Sequence, residues 1–270
     1  MHPIEHLRYV ARAQGADPTS LVEETAHALG SLHFDPSSLV VSCRRIVERH
    51  PFTGGLWWLC SNVVTSAEPF EAVWELADEI RSDRTGVELA AVLSDDAVVV
   101  TIGDPDVIGD GLIRRGDIRV LALDAGFTAT SFIRRMERYD VDAEPVDAGV
   151  AGAAVRAADA VLVEALAIDS QRAVVPIGSS TIAAAASAFG TEVWVVAGVG
   201  RRLPSGFLDA MVSKVEAMSA ENDAWDLDVE VLPTSMFTHV VGPHGKVPMG
   251  PPAIVAECPM APELLRPSHI

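Results

Sequence analysis

The chain has 270 residues, of which 49% are hydrophobic, and its formal net charge is −18 at pH 7. This much apolar side chain excludes a disordered polymer and is enough for one large buried core or two smaller ones. The excess of negative charge argues against a nucleic-acid partner, because phosphate backbones are bound by clustered Lys and Arg.

Targeting signals and metal motifs are not evident in the sequence. It has no run of about 18 apolar residues that could span a membrane, and the first residues, MHPIEHLRYVARAQG, carry charges where a signal peptide needs an apolar segment. We therefore expect a cytoplasmic protein without membrane contact. Cys43, Cys60 and Cys258 lie far apart and outside any CxxC pair, so we expect no disulfide framework, no metal site and no cofactor.

The first third of the chain has apolar residues at helical spacing. Leu7, Val10 and Ala11 form one such group, and the segment from Leu21 to Leu29 contains another. The breaks between the predicted helices are Asp17–Ser20, Asp35–Ser38, Pro51–Gly55 and Ser66–Pro69. These patterns predict a helical N-terminal domain of about five helices, residues 1–93.

From Ala97 the pattern changes to short β-branched runs that alternate with helical segments, which is typical of βαβ units and a parallel sheet. The predicted strands are Ala97–Ile102, Ile118–Leu123, Ala143–Val146, Ala160–Glu164, Ala173–Val175 and Glu192–Ala197. The predicted helices are Val107–Arg115, Thr128–Tyr139, Val150–Ala157 and Ser180–Phe189. We predict an α/β fold, with a Rossmann-like parallel-sheet domain over residues 94–270.

The segment after Pro204 predicts one more helix, a short strand at Val229–Leu232, and a Pro-rich end that serves as a tie-down or a dimer arm. His239 and His244 lie in a turn-rich part of this segment. No metal-ligand partners stand at helical spacing from them, so the histidines do not indicate a metal site.

In an open parallel sheet, ligands bind outside the carboxyl ends of the strands, where helix N-termini present unpaired N–H groups. The turns selected by this rule are Gly103–Asp106, Asp124–Ser131, Glu164–Asp169, Pro176–Thr181 and Gly198–Arg202. The turn Gly178-Ser179-Ser180-Thr181 predicts either an anion cradle or an ordinary helix cap. Arg201 and Arg202 supply positive charge to the same crevice or form a solvated surface.

Acidic residues stand at the same predicted strand ends. Asp104, Asp106, Asp124 and Glu164 fit general acid/base groups, and they equally fit helix caps. Together they make the crevice unfavourable for a phosphate unless the arginines compensate. His50, next to Thr53, Gly54 and Gly55, is suited to proton transfer near neutral pH or to a structural cap.

Three stretches resemble the superfamily that joins the alpha, beta and delta subunits of translation initiation factor 2B with methylthioribose 1-phosphate and ribose 1,5-bisphosphate isomerases. They are VEALAIDSQRAVVPIGSSTIAAAASAFGTEVWVVAGVGRRLP, HPFTGGLWW and VLALDAGFTATSF. The resemblance covers roughly Arg49 to Pro204. It implies a helical part on a Rossmann-like domain, a homodimer, and a sugar-phosphate or nucleotide ligand in the crevice.

The sequence departs from the isomerases where they carry their catalytic groups. The resemblance places their cysteine at Gly103 and their aspartate at Ala165, with Glu164 beside it. It places the Arg of their helix-start motif at His50 and a phosphate-side Gln at Thr130. Of the basic positions only Arg201 is kept. Because proton transfer between sugar carbons needs both the thiol and the carboxylate, the same chemistry is not expected here.

Three hypotheses follow from these residues. The favoured one is a non-catalytic or regulatory member that binds a phosphorylated small molecule or a partner subunit. The second is an isomerase-like enzyme of altered chemistry, with Glu164, Asp124 and His50 as acid/base groups. The third is a protein-interaction module without a ligand. The predicted ligand-binding residues are Thr53, Gly54, Gly55, Gly103, Asp104, Thr128, Thr130, Ser131, Gly178, Ser179, Ser180 and Arg201.

Overall fold

A computed structural model of the chain describes residues 18–31, 38–124, 129–250 and 253–266. Helices fill the described part of the first third, as predicted: α1 (Pro18–Gly30), α2 (Leu39–Arg49), α3 (Gly54–Thr65), α4 (Pro69–Arg81) and α5 (Thr85–Val92). On α2, Leu39, Cys43, Ile46 and Val47 are buried, because residues three and four apart share one helix face. The predicted stretch around Leu7 and Val10 lies outside the described residues.

The main sheet begins where the sequence predicted it. Its strands are β1 (Val98–Ile102), β2 (Arg119–Leu123), β3 (Asp142–Val146), β4 (Ala160–Glu164), β7 (Glu192–Val196), β9 (His239–Gly242) and β10 (Gly245–Pro248). Their order is β10-β9-β7-β4-β1-β2-β3. The strands from β9 to β3 are parallel, and β10 is antiparallel to β9. All of β4 is buried, as expected for a strand that is covered on both faces.

Helices connect the parallel strands and cover the sheet: α6 (Asp106–Arg115), α7 (Ala129–Arg138), α8 (Ala151–Ala157) and α9 (Ser179–Phe189). From β1 the chain winds outward through β2 to β3 and then returns to place β4 on the other side of β1. The strand order therefore reverses between β1 and β4. Such a switch point leaves a crevice at the carboxyl ends of the two strands. The predicted α/β, Rossmann-like fold class is confirmed.

One predicted strand belongs to a different sheet. The run Ala173–Val175 is part of β6 (Arg172–Pro176), which pairs antiparallel with β5 (Ala167–Ile168) and β8 (Val229–Pro233) in a second sheet of three strands. A tight turn reverses the chain after β5, where Asp169 Oδ1 accepts hydrogen bonds from the N–H groups of Gln171 and Arg172 at 2.7 Å. An apolar run does not specify which neighbour a strand pairs with, so the placement of β6 in the parallel sheet was wrong.

The residues after Pro204 complete both the helical part and the sheet. Helix α10 (Ser205–Glu221) packs Phe207, Leu208 and Met211 into the apolar core of α1 to α4. The hairpin of β9 and β10 was not predicted. Each of its strands has only four residues, and the turn-forming residues around them were interpreted as irregular structure. The division into domains at residue 93 stays a prediction. Among the described residues, no helix is both long and apolar enough to cross a membrane.

Candidate functional site

A cavity of about 600 Å³ lies at the switch point between β1 and β4. Gly103–Asp106 and Glu164 form one side of it, which we call the strand-end wall. The residues Trp225–Asp228, between α10 and β8, form the opposite side, which we call the tail wall. A volume of this size is typical of small-molecule sites.

Glu164 is the most buried ionisable group of the cavity. It ends β4, is 5% exposed, and its Oε2 accepts a hydrogen bond from the N–H of Ile108 at 3.0 Å. Burial raises the pKa of Glu164, and the charge of Arg201 and the N–H groups at the start of α6 partly oppose that rise. The carboxyl group therefore caps a helix from inside the core and is also the acid/base candidate that lines the cavity.

The turn after β1 brings together several predicted residues. Gly103 has φ +71°, which favours glycine there, and its N–H donates to Leu123 O at 3.1 Å. Asp104 accepts a hydrogen bond from Ser131 Oγ at 2.6 Å and lies 3.3 Å from the guanidinium of Arg135. Arg135 also lies 3.8 Å from Asp106. The two carboxylates of this turn thus share one positive charge.

The predicted anion cradle before α9 holds a carboxylate of the chain itself. The N–H of Ser180 donates to Glu230 Oε1 at 2.9 Å, and the fully buried Ser179 donates from Oγ to Pro176 O at 2.7 Å. Gly178 has φ +88°, and a Cβ at this position would lie 2.8 Å from Ile102 Cδ1. The contacts of this turn are therefore those of a helix cap.

The N–H groups of the basic loop after β7 also bind carboxylates of the chain itself. The N–H of Val199 donates to Asp83 Oδ2 at 2.9 Å, and the N–H of Gly200 donates to Glu257 Oε2 at 2.8 Å. Glu257 also forms an ion pair with Arg202 at 2.9 Å. Burial raises the pKa of Glu257, and the charge of Arg202 opposes that rise. Arg201 is 5% exposed, so this predicted ligand residue lies inside the protein.

The remaining predicted site residues lie on either side of the cavity. Asp124 accepts a hydrogen bond from the N–H of Ala129 at 3.2 Å and so caps α7. Thr130 and Ser131 lie in the exposed first turn of that helix. Thr128 lies outside the described residues. His50 is the C-cap of α2 and does not line the cavity, so the three acid/base candidates are not assembled at one position.

The glycine pair at the start of α3 is explained by close packing. The N–H of Gly54 donates to Leu166 O at 3.0 Å, and a Cβ on Gly54 would lie 2.3 Å from that oxygen. A Cβ on Gly55 would lie 2.8 Å from Val22 Cγ2. Thr53 precedes the helix as its N-cap without a side-chain hydrogen bond to it. This segment supports the cavity from behind, because Leu166 lines the cavity.

The tail wall was not predicted from the sequence. Trp225 is 77% exposed, and Asp226 and Asp228 are also exposed, although all three line the cavity. The strand-end rule applies to the parallel sheet, whereas this segment follows α10 and reaches the site from the far end of the chain. The signal in the sequence that could have indicated this wall was a tryptophan, Trp225, among acidic residues just before the predicted strand Val229–Leu232.

The thiols are buried away from the cavity. Cys43 forms a hydrogen bond to Cys60, and this contact and burial raise the pKa of Cys60. Burial raises the pKa of the Cys258 thiol to about 12. None of the three cysteines lines the cavity. In the described ranges, no group of three or more His, Cys, Asp or Glu residues is arranged to hold a metal ion.

Comparisons with solved structures identify proteins of the same fold. The translation initiation factor eIF-2B of Pyrococcus horikoshii OT3 superposes with a TM-score of 0.76 at 15% identity, over 94% of this chain and 98% of that chain. A chain of the tetrameric eIF2B-beta2-delta2 complex from C. thermophilum gives a TM-score of 0.74 at 12% identity, over 93% and 91% of the two chains. No protein-family model and no curated sequence matches the chain.

Proposed function

We propose that this chain, which has the fold of the eIF2B subunits, is an eIF2B-like protein that binds a small molecule without isomerase chemistry. The cavity of about 600 Å³ at the switch point is the observation that carries the proposal. Binding there places a ligand between a wall from the parallel sheet and a wall from the C-terminal segment. Ligand binding can therefore change how these two parts hold together.

The absence of isomerase chemistry is supported by the groups that line the cavity. Gly103 lies where the resemblance places a catalytic cysteine, and the cysteines of the chain are buried elsewhere. Ala165 is fully buried where the resemblance places the aspartate. Of the three acid/base groups of the enzyme hypothesis, Glu164, Asp124 and His50, only Glu164 lines the cavity, whereas proton transfer between adjacent carbons uses a matched pair.

A ligand screen by thermal unfolding tests the proposal. A molecule that binds only the folded protein raises its stability, by about 2.7 kcal/mol at a concentration of 100 times Kd. Pentose phosphates, nucleotides, diamines and guanidinium compounds cover both signs of ligand charge. The control is Ile177→Trp, which enlarges a partly exposed residue that lines the cavity. We expect at least one class to stabilise the native chain and not this variant. If no class does so, the chain is better explained as an interaction module.

The raised pKa of Glu164 favours a second candidate function, an enzyme with this residue as general acid. The discriminating assay follows the same compounds by NMR for product formation with wild type and Glu164→Gln. The binding proposal predicts no turnover by either protein. Turnover by wild type that Glu164→Gln abolishes would replace it with the enzyme.

The quaternary structure is a separate part of the proposal. The resemblance implies a homodimer, and one structure of the same fold is a tetrameric complex of two kinds of subunit. We therefore propose that the chain forms a homodimer in the cytoplasm. One chain has a mass of 28.6 kDa, and light scattering after size exclusion should give twice that mass. A monomer at micromolar concentration would contradict this part alone.

A further inference from the structure

We propose that the ligand of the cavity at the switch point is an organic cation, a primary amine or a guanidinium compound, rather than a phosphorylated molecule. This inference rests on the proposed function, because it concerns the same cavity. Its starting point is the distribution of charge and of hydrogen-bond donors around the two walls.

The charged side chains that line the cavity are all acidic among the described residues. The five carboxylates belong to Asp104, Asp106, Glu164, Asp226 and Asp228. Two guanidinium groups act on the strand-end wall from behind it. Arg135 contacts the carboxylates of Asp104 and Asp106, and Arg201 offsets the charge of Glu164. Within the described part of the chain, carboxylates therefore outnumber guanidinium groups at the cavity even without Asp106, and this excess of negative charge repels phosphate and attracts a cation.

In the described ranges, each helix N-terminus at this edge has an N–H group that already binds a carboxylate of the chain. Glu164 accepts from the start of α6, Asp124 from the start of α7, and Glu230 from the start of α9. Asp83 and Glu257 accept from the basic loop after β7. Anions are recognised at helix N-termini through such unpaired N–H groups. A phosphate would have to displace these side chains, whereas a cation leaves every one of these hydrogen bonds intact.

The tail wall provides the complementary features for an organic cation. Trp225 is 77% exposed and lines the cavity, and an indole ring attracts ammonium and guanidinium groups. Asp226 and Asp228 form no ion pair with a Lys or Arg of the described residues, so their charge is available to a ligand. Ile102 and Leu227 add apolar side chains to the lining of the cavity, which suit a short methylene chain.

Isothermal titration at low salt and neutral pH tests the inference with defined probes. The cations are 1,4-diaminobutane and agmatine, the neutral control is 1,4-butanediol, and the anions are inorganic phosphate, ribose 5-phosphate and AMP. We expect saturable binding of the cations only. The double variant Asp226→Asn/Asp228→Asn should weaken diamine binding at least 10-fold. Asp223→Asn is the matched control, because Asp223 is an exposed neighbour that does not line the cavity, and it should leave the affinity within about 2-fold.

Each other outcome has a distinct meaning. Binding of the phosphorylated probes but not of the amines, lost in Ile177→Trp, would overturn the cation inference and leave the proposed function standing. Amine binding that all three aspartate substitutions weaken equally would also overturn it, since it would then report attraction to the acidic surface as a whole. Binding of no probe would remove both the inference and the proposed function.

Discussion

The two walls of the cavity differ in what else they do for the protein. In the strand-end wall, Glu164 caps α6 from inside the core, and Asp104 and Asp106 are tied to Arg135. In the tail wall, Trp225 and Asp228 are exposed and project from a short connection between α10 and β8. The strand-end wall therefore couples binding to folding, while the tail wall can vary in chemistry with little effect on the fold. Substitutions in the two walls should therefore differ in their effects on stability.

Glu164→Ala should give the largest loss of stability, about 3 kcal/mol in the free energy of unfolding measured by urea denaturation. The substitution leaves N–H groups of α6 without their acceptor and Arg201 without the nearby negative charge, and breaking a buried charge pair is strongly destabilising. Glu164→Gln keeps an acceptor oxygen and should lose less than half as much. A loss below about 1 kcal/mol for the alanine variant would show that the strand-end wall is not structural.

Gly54→Ala should lower the free energy of unfolding by about 2 kcal/mol, because the added methyl group meets the carbonyl oxygen of Leu166 at 2.3 Å. Gly152→Ala is the matched control. It lies in α8 where the nearest atom to an added Cβ is 3.8 Å away, so it should stabilise the chain by about 0.5 kcal/mol. Equal effects of the two variants would contradict the packing explanation for the segment behind the cavity.

The pH dependence of stability should report the buried carboxyl group. Arg201 and the N–H groups of α6 face Glu164, and its pKa in the folded chain is nevertheless raised above the ordinary value. Between these two pKa values the folded state holds a proton that the unfolded state has released, so stability falls as pH rises through that window. Below the ordinary value and above the raised value the contribution is flat. The same urea series on Glu164→Gln gives the pH dependence that is due to all other groups, and subtracting it from the wild-type series leaves the slope due to Glu164. A difference in stability that rises with pH would contradict the prediction.

The smallest change in stability is expected at the tail wall. Asp228→Asn and Trp225→Ala should each stay within about 0.5 kcal/mol of wild type in the urea series, since both side chains are exposed. Both should nevertheless weaken diamine binding, which titration calorimetry measures on the same samples. If either variant lost as much stability as Glu164→Ala, the two walls would not differ in their contribution to the fold.

The strand-end wall could be located from the sequence, and the tail wall could not. Apolar runs and helical spacing predicted β1, β4 and the helices between them, and the strand-end rule then selected Gly103, Asp104 and Glu164 as neighbours. The contact of Trp225 with the same cavity depends on how α10 folds back, which no local pattern encodes. The pairing of β6 with β8 in a second, antiparallel sheet was missed for the same reason: an apolar strand fits either sheet.

The predicted anion cradles show a second limit. Gly178-Ser179-Ser180 has the composition of an anion site, and its helix start does bind an anion, but the anion is the carboxylate of Glu230, 50 residues away in the chain. Glu257 likewise reaches Gly200 from 57 residues away. Composition identifies an N–H group that needs an acceptor, whereas only the tertiary structure tells whether the chain or a ligand provides it.

An organic cation bound against the tail wall should change the surroundings of Trp225, and the indole N–H resonances of the tryptophans report that change. Trp194 serves as an internal reference, because its Nε1–H donates to Glu192 at 2.6 Å and it does not line the cavity. During titration with 1,4-diaminobutane, the resonance assigned to Trp225 through Trp225→Phe should shift and saturate, while that of Trp194 stays in place. A saturable shift of Trp194 without one of Trp225, or no saturable shift at all, would contradict the account.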